Sequence, residues 1–196
     1  MALTLVKEDG TGLSNANSYA SVADGDAYFE GHLYATAWTA ATSGTKAAAL
    51  VMATRLVDTQ FQFNGYRANE DQALQWPRER CPDPDRNAVT SSLQSPVLSS
   101  FVPSDEVPKG VANAVCEMAR ELLIADRTAA PPGEGISSTQ TSSATHDSAG
   151  GSSSQSSTTY SKEDTRPVMS RVAQAMLAKY GALIQGSSGS VRLVRV

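Results

Sequence analysis

The clearest periodic pattern of the chain lies between residues 102 and 126. Residues 104–106 offer an N-cap and negative charge at a helix start, and Pro108 fits the first turn. Charged and amide side chains occupy one face of the predicted helix, and apolar residues recur at helical spacing along the other. The apolar positions are Val107, Val111, Ala114, Val115, Met118, Leu122 and Leu123. The pattern predicts a long amphipathic helix around which the preceding residues can fold.

Three further stretches show helical spacing. Ser21 opens the first, with an aspartate three residues later in the acidic position of a capping box. Ser43 or Thr45 caps the second, an alanine-rich stretch over residues 46–58. The third runs over residues 165–184 and begins near a proline, which favours the first turn of a helix. These stretches predict a mainly α fold, a small bundle of about four helices.

Short alternating stretches predict a minor β element near residues 3–6 or 61–67. Phe61, Phe63 and Tyr66 alternate with polar residues, and Asn64-Gly65 is a dipeptide typical of tight turns. Neither stretch is long enough to form a sheet of several strands. We therefore expect the β structure to be an addition to the helical bundle.

Composition divides the chain into three parts. Residues 1–127 carry most of the apolar pattern and predict a helical core. A Ser/Thr/Gly-rich tract dominates residues 128–164, and its composition buries too little apolar surface to offset the entropy of ordering. We expect this spacer to be ordered only in an assembly. Residues 165–196 predict a basic helix followed by a short tail.

Charge is distributed unevenly along the chain. The net charge is −4, yet residues 165–196 contain five basic and no acidic side chains, so the first 164 residues carry −9. This balance argues against general coating of nucleic acid. A basic end segment is compatible with docking on an acidic partner and equally with a solvated helix face. No apolar run reaches membrane-spanning length and no signal peptide opens the chain, so we expect no membrane association and a cytoplasmic site of synthesis.

The sequence offers little support for catalysis, a cofactor or a metal. It contains no Walker loop, HExxH motif or nucleophile elbow, and Cys81 and Cys116 stand apart without the spacing of a metal site. Gly10-Thr11-Gly12 lacks the basic residue that a phosphate-binding loop places after its glycines. We expect a protein that is not an enzyme.

One region combines aromatic residues with arginines. Phe63, Tyr66 and Trp76 are interleaved with arginines at positions 67, 78, 80 and 86. This combination is typical of platforms that stack the bases of single-stranded nucleic acid. The alternative is that the aromatic rings lie in the core and that the arginines pair with neighbouring acidic residues, and this alternative is favoured.

Five short motifs, in this order, resemble a family of tailed-phage proteins. The motifs are Glu8-Asp9-Gly10-Thr11-Gly12-Leu13, Asn15-Ala16-Asn17-Ser18-Tyr19, Gly65-Tyr66-Arg67, Ala73-Leu74-Gln75-Trp76-Pro77-Arg78, and Val102-Pro103 leading to Val107-Pro108. The family is labelled as putative DnaT-like single-stranded-DNA-binding proteins, and its members are similar to head-to-tail connector (adaptor or head-completion) proteins. The resemblance covers residues 1–126 and resumes at the end of the chain, whereas the serine-rich tract departs from it.

The resemblance implies a structural virion protein in the phage neck. It would form an adaptor ring, twelve-fold like the portal, and contact the stopper or tail-terminator protein. Packaged double-stranded DNA would pass through its channel without sequence-specific binding. Another neck protein remains a third possibility. Docking to the portal or a neighbouring subunit would use the basic helix and the tail. These residues are Arg166, Arg171, Lys179, Val191, Arg192, Leu193, Val194, Arg195 and Val196.

The alternative function is the one that the family label states, binding of single-stranded DNA. Its predicted site consists of Phe63, Tyr66, Arg67, Trp76 and Arg78. The two functions differ in the expected effect of replacing Trp76. In a DNA-binding platform the substitution weakens DNA binding, and in a core it lowers the free energy of unfolding.

Overall fold

The structure, a computed structural model, describes residues 3–83, 101–129, 138–145, 152–159 and 168–184. Five α-helices lie in these ranges: α1 (Val22–Phe29), α2 (Thr36–Thr39), α3 (Ser43–Gln60), α4 (Lys109–Ile124) and α5 (Arg171–Leu177). The strands there are β1 (Phe61–Phe63), β2 (Tyr66–Arg67), β3 (Arg78–Glu79), β4 (Ser138–Thr145), β5 (Ser152–Thr159) and β6 (Gly181–Leu183). They form antiparallel pairs: β1 with β6, β2 with β3, and β4 with β5. The mixed, mainly helical architecture agrees in outline with the predicted class.

The chain forms two compact units. The first combines the residues up to Asp126 with those from Met169 onward, and the second holds residues 127–168. Helix α5 therefore belongs to the first unit, although the sequence placed it in a separate C-terminal segment. In the second unit, β4 and β5 pair over eight residues, from Ser138 opposite Thr159 to Thr145 opposite Ser152. These strands lie inside the predicted spacer, and its ordering only in an assembly stays a prediction.

Helix α4 lies at the centre of the first unit, where it packs against α3 and α5. Its predicted start needs correction, because the helix begins at Lys109 and Pro108 is an N-cap without a side-chain hydrogen bond. Proline disfavours helical backbone at the residue before it, so residues 104–106 remain outside the helix. Glu117, which the pattern placed on the polar face, is buried. It accepts hydrogen bonds from the Tyr28 hydroxyl at 2.9 Å and from Arg120 Nε at 3.1 Å.

The local signals at the starts of α1 and α3 are clear. At α1 the Ser21 side chain accepts from the Asp24 amide, and the Asp24 carboxylate accepts from the Ser21 amide, which confirms the capping box. Helix α3 is capped by Thr42, one residue before the predicted Ser43. It is also longer than predicted and continues directly into β1.

The predicted C-terminal helix ends early. Helix α5 stops at Leu177, and after a turn the chain continues as β6, which pairs with β1. Gly181 makes this pairing possible, because a Cβ at this position would lie 2.2 Å from the Gln62 carbonyl oxygen. The apolar face predicted for one long helix is thus divided between a short helix and a strand. The helix and the residues beside it bury Met169, Ala173, Leu177 and Tyr180 in the core, and Leu183 of β6 packs against it.

Candidate nucleic-acid interface

Two of the five residues predicted to contact DNA are buried in the core. Trp76 is 0% exposed and Phe63 is 5% exposed. Their ring centroids lie 5.5 Å apart in an edge-to-face arrangement, and Trp76 makes a similar contact with Tyr180 at 5.7 Å. Neither ring offers a free face to a base. The structure therefore agrees with the favoured sequence interpretation, in which these rings belong to the core.

Backbone contacts to a buried tyrosine hold the segment that carries Trp76. The Tyr19 hydroxyl donates to Asp58 Oδ1 at 2.6 Å and accepts from the amides of Gln75 and Trp76 at 2.9 and 3.1 Å. Burial raises the pKa of Asp58 to about 6. This network fixes the indole inside the core, because both amides at positions 75 and 76 find their partners there.

Arg78 is also buried, and it acts as a cross-link within the fold. Its guanidinium donates to the carbonyl oxygens of Asn64 at 2.8 Å, Gly65 at 2.6 Å and Gln75 at 3.1 Å. Burial lowers the pKa of the guanidinium. The alternative interpretation expected the arginines to pair with acidic residues, but Arg78 binds backbone oxygens instead. It holds the turn at Asn64-Gly65 against the segment at residue 75.

Tyr66 and Arg67 form β2, and both are exposed. Tyr66 is 48% exposed, and the Arg67 guanidinium donates to the Gln72 carbonyl oxygen. Above the Tyr66 ring lies the guanidinium of Arg80, whose central carbon is 5.9 Å from the ring centroid. An exposed tyrosine ring can stack a base, and a neighbouring arginine can neutralise a phosphate.

Arg80 adopts an uncommon backbone conformation. Its φ angle is +54°, in the left-handed region that favours glycine. The turn before β2 lies close by: Gly65 has a φ of +73°, and a Cβ there would be 2.1 Å from the Glu79 carbonyl oxygen. Non-glycine residues with positive φ are enriched at functional sites, where surrounding structure maintains them. Arg80 is one of the arginines interleaved with the aromatic residues of this region, but it is not part of the site predicted from the sequence.

The turn that follows α5 reaches the same region. The Asn64 amide donates to the Tyr180 carbonyl oxygen at 2.9 Å, so Lys179 lies beside the turn that precedes Tyr66. Lys179 is exposed, and its Nζ is 5.2 Å from the centroid of the Tyr180 ring. We define the stacking surface as Tyr66, Arg67, Arg80 and Lys179. Of the other predicted docking residues, Arg171 is exposed on α5, while Arg166 and residues 191–196 lie outside the described residues.

The glycine-rich loop near the N-terminus is closed by its own carboxylate. Glu8 is 1% exposed and accepts from the amides of Gly10, Gly12 and Leu13 at 3.0, 2.8 and 2.9 Å. Backbone amides that converge in this way form a nest for an anion. Because the Glu8 side chain already fills this nest, the loop has no space for a phosphate.

Within the described ranges, no group of three or more histidine, cysteine, aspartate or glutamate residues could hold a metal ion. Cys81 and Cys116 are both buried, and burial raises the pKa of each thiol. No helix in the same ranges is long and apolar enough to cross a membrane.

A family model described as "Putative DnaT-like ssDNA binding protein" matches residues 3–196. No curated protein and no solved structure matches the chain.

The family match corrects the main functional prediction. The family is described by single-stranded-DNA binding and not as a connector, so the prediction of a head-to-tail adaptor is wrong. The same correction applies to the portal, the stopper or tail-terminator protein, the twelve-fold ring and the channel for double-stranded DNA. The resemblance named this family label but identified its members with phage connectors, and that identification is wrong. The match favours the predicted alternative, binding of single-stranded DNA. The predicted location in the virion stays a prediction.

Proposed function

Because the chain belongs to the family of DnaT-like single-stranded-DNA-binding proteins, we propose that it binds single-stranded DNA through the stacking surface. The observation that supports this site is the Arg80 guanidinium over the exposed ring of Tyr66. In the predicted alternative site, Phe63, Trp76 and Arg78 were to contact DNA directly. Because these three residues are buried, they support the fold of the site. In our proposal, DNA contacts Tyr66, Arg67, Arg80 and Lys179 instead.

The proposed contacts follow from the chemistry of each side chain. A base stacks on the exposed part of the Tyr66 ring, because every base has a flat face and the contact requires no particular sequence. Arg80 binds a phosphate next to the stacked base, and Lys179 supplies a second cation. Arg67 follows Tyr66 on the same exposed strand and supplies a third cation.

The number of cations sets the expected salt dependence. Three phosphate contacts on a single strand correspond to a slope of about −2 in a plot of log K against log salt concentration. The net charge of −4 adds no general attraction for DNA, so affinity depends on the local cations. We expect modest affinity and little discrimination between sequences.

The test is a titration of a fluorescent oligothymidine, followed by anisotropy. Replacing Tyr66 with alanine removes the stacking face, which contributes about 1–3 kcal/mol per base and corresponds to a roughly 5- to 150-fold weaker affinity. Tyr34→Ala is the matched control, since Tyr34 is 76% exposed but lies outside the stacking surface. Equal affinity for wild type and Tyr66→Ala would contradict the proposal, and so would an equal loss in both variants.

A further inference from the structure

His32 holds the connection between α1 and α2 with both of its ring nitrogens. Its Nδ1 accepts a hydrogen bond from the Tyr34 amide at 3.0 Å, and its Nε2 lies 3.3 Å from Oε1 of Glu117 on α4. A backbone amide can only donate, so Nδ1 carries no proton in this arrangement. Nε2 therefore carries the ring proton and donates a hydrogen bond to the carboxylate. The two contacts together select the neutral imidazole and one of its tautomers.

The charged groups around the imidazole favour a positive charge on it. Glu117 is 2% exposed, and Arg120 donates to Glu117 at 3.1 Å and to Glu121 at 2.8 Å. The guanidinium opposes a second positive charge, but two carboxylates and one guanidinium leave one negative charge on this part of α4. Helix α1 adds the exposed carboxylate of Glu30 at its end. The uncharged groups of the described residues near His32 are the Tyr28 hydroxyl and the rings of Phe29 and Tyr34.

Protonation of His32 sets its two contacts against each other. Histidine is the side chain that gains or loses its charge between about pH 5 and 8. The second proton goes to Nδ1, which then becomes a donor and faces another donor, the Tyr34 amide. On the other side of the ring, the hydrogen bond to Glu117 becomes charge-assisted and therefore stronger. The Glu117 carboxylate is buried, whereas the hydrogen bond from the Tyr34 amide is exposed and can be replaced by one to water. We therefore expect the imidazolium to stay at Glu117 and the turn to give way.

We propose that His32 is a pH switch for the turn at Leu33-Tyr34, which protonation releases from the imidazole. Leu33 and Tyr34 are 91% and 76% exposed, and the buried residues Phe29 and Ala35 anchor the chain on either side of them. Acidification therefore changes the position of two large exposed side chains, while α1 and α2 keep their places in the core. The switch does not involve the stacking surface and does not depend on DNA binding.

The first test is a pH titration of the ¹⁵N-labelled full chain, followed by NMR. At about pH 8 the Tyr34 amide nitrogen should show a scalar coupling to His32 Nδ1 across the hydrogen bond. Towards about pH 5 this coupling should disappear, and the Tyr34 amide signal should move in step with the ring signals of His32. The chain has two histidines, and His146→Ser is the matched control that should leave the change at Tyr34 as it is. A Tyr34 signal that does not follow the protonation of His32 would overturn the proposal.

The second test uses two variants in the same titration. In His32→Asn, the side-chain oxygen can accept from the amide two residues later, as in an Asx turn, but it does not titrate. The Tyr34 signal of this variant should stay in place from about pH 8 to 5, and a change like that of the wild type would overturn the proposal. Glu117→Gln removes the negative charge that favours the imidazolium, so the midpoint of the change at Tyr34 should move to lower pH. An unchanged midpoint in the folded variant would contradict the role of the carboxylate.

Discussion

Replacing Arg80 with glycine should affect stability and DNA binding differently. At a φ of +54°, a residue with a Cβ costs about 1–2 kcal/mol relative to the right-handed region. Glycine removes this cost but loses about 0.5–1 kcal/mol in backbone entropy. The lost contact with the Tyr66 ring costs about 0.5–1 kcal/mol at an exposed position. We therefore expect Arg80→Gly to change the free energy of unfolding by less than about 1 kcal/mol.

Arg80→Ala is the matched variant, because it removes the same guanidinium but keeps a Cβ. Alanine is usually the more stable residue of the two, by about 0.5–1 kcal/mol in a helix or strand. At position 80 we expect the opposite order, with the glycine variant more stable in urea denaturation. An alanine variant as stable as or more stable than the glycine variant would refute the argument from backbone strain.

Both Arg80 variants should bind single-stranded DNA more weakly. A hydrogen bond to a charged group contributes about 1.5–3 kcal/mol, which corresponds to a roughly 10- to 150-fold loss of affinity. The salt slope should also become shallower by about 0.7, because one phosphate contact is lost. Unchanged affinity and slope in two folded variants would refute the role of Arg80 in DNA binding.

Three further predictions concern the residues that support the stacking surface. Trp76→Ala should lower the free energy of unfolding by about 3–5 kcal/mol in urea denaturation, and a DNA-binding defect in a fully stable variant would contradict its core position. Arg78→Ala should cost about 1–3 kcal/mol in the same assay, because the part-buried hydrogen bonds to three carbonyl oxygens are lost, and an unchanged stability would refute the cross-link. The pKa of Asp58 is raised to about 6 in the folded protein, so the folded state binds this proton more tightly than the unfolded chain does. The resulting stabilisation is lost as the pH rises from about 4 through 6. Stability should therefore fall by up to about 3 kcal/mol across this range, and an equal pH dependence in Asp58→Asn would contradict this.

Local signals explain which parts of the fold could be predicted. The capping box at Ser21 and the apolar face of α4 depend on residues a few positions apart, and the sequence shows them directly. Strand β6 could not be predicted, because residues 181–183 become a strand only by pairing with β1, about 120 positions earlier. The pairing of β4 with β5 could not be predicted from composition, because composition indicates how much apolar surface can be buried and does not indicate backbone pairing.

The candidate site was only partly predictable for a related reason. Aromatic residues among arginines look alike in sequence whether the rings are buried or exposed. The difference between Trp76 and Tyr66 depends on distant contacts, since Tyr19 holds the amide of Trp76. Arg80 could not be identified either, because its positive φ angle and its position over Tyr66 are properties of the folded chain.

Mapping the amide signals of the ¹⁵N-labelled chain during an oligothymidine titration tests the central claim most directly. If single-stranded DNA binds the stacking surface, the signals that shift first should belong to Tyr66, Arg67, Arg80 and Lys179. Signals around Leu33 and Tyr34, which are also exposed, should stay in place. No shifts at saturating oligonucleotide, or shifts confined to another surface, would contradict the account.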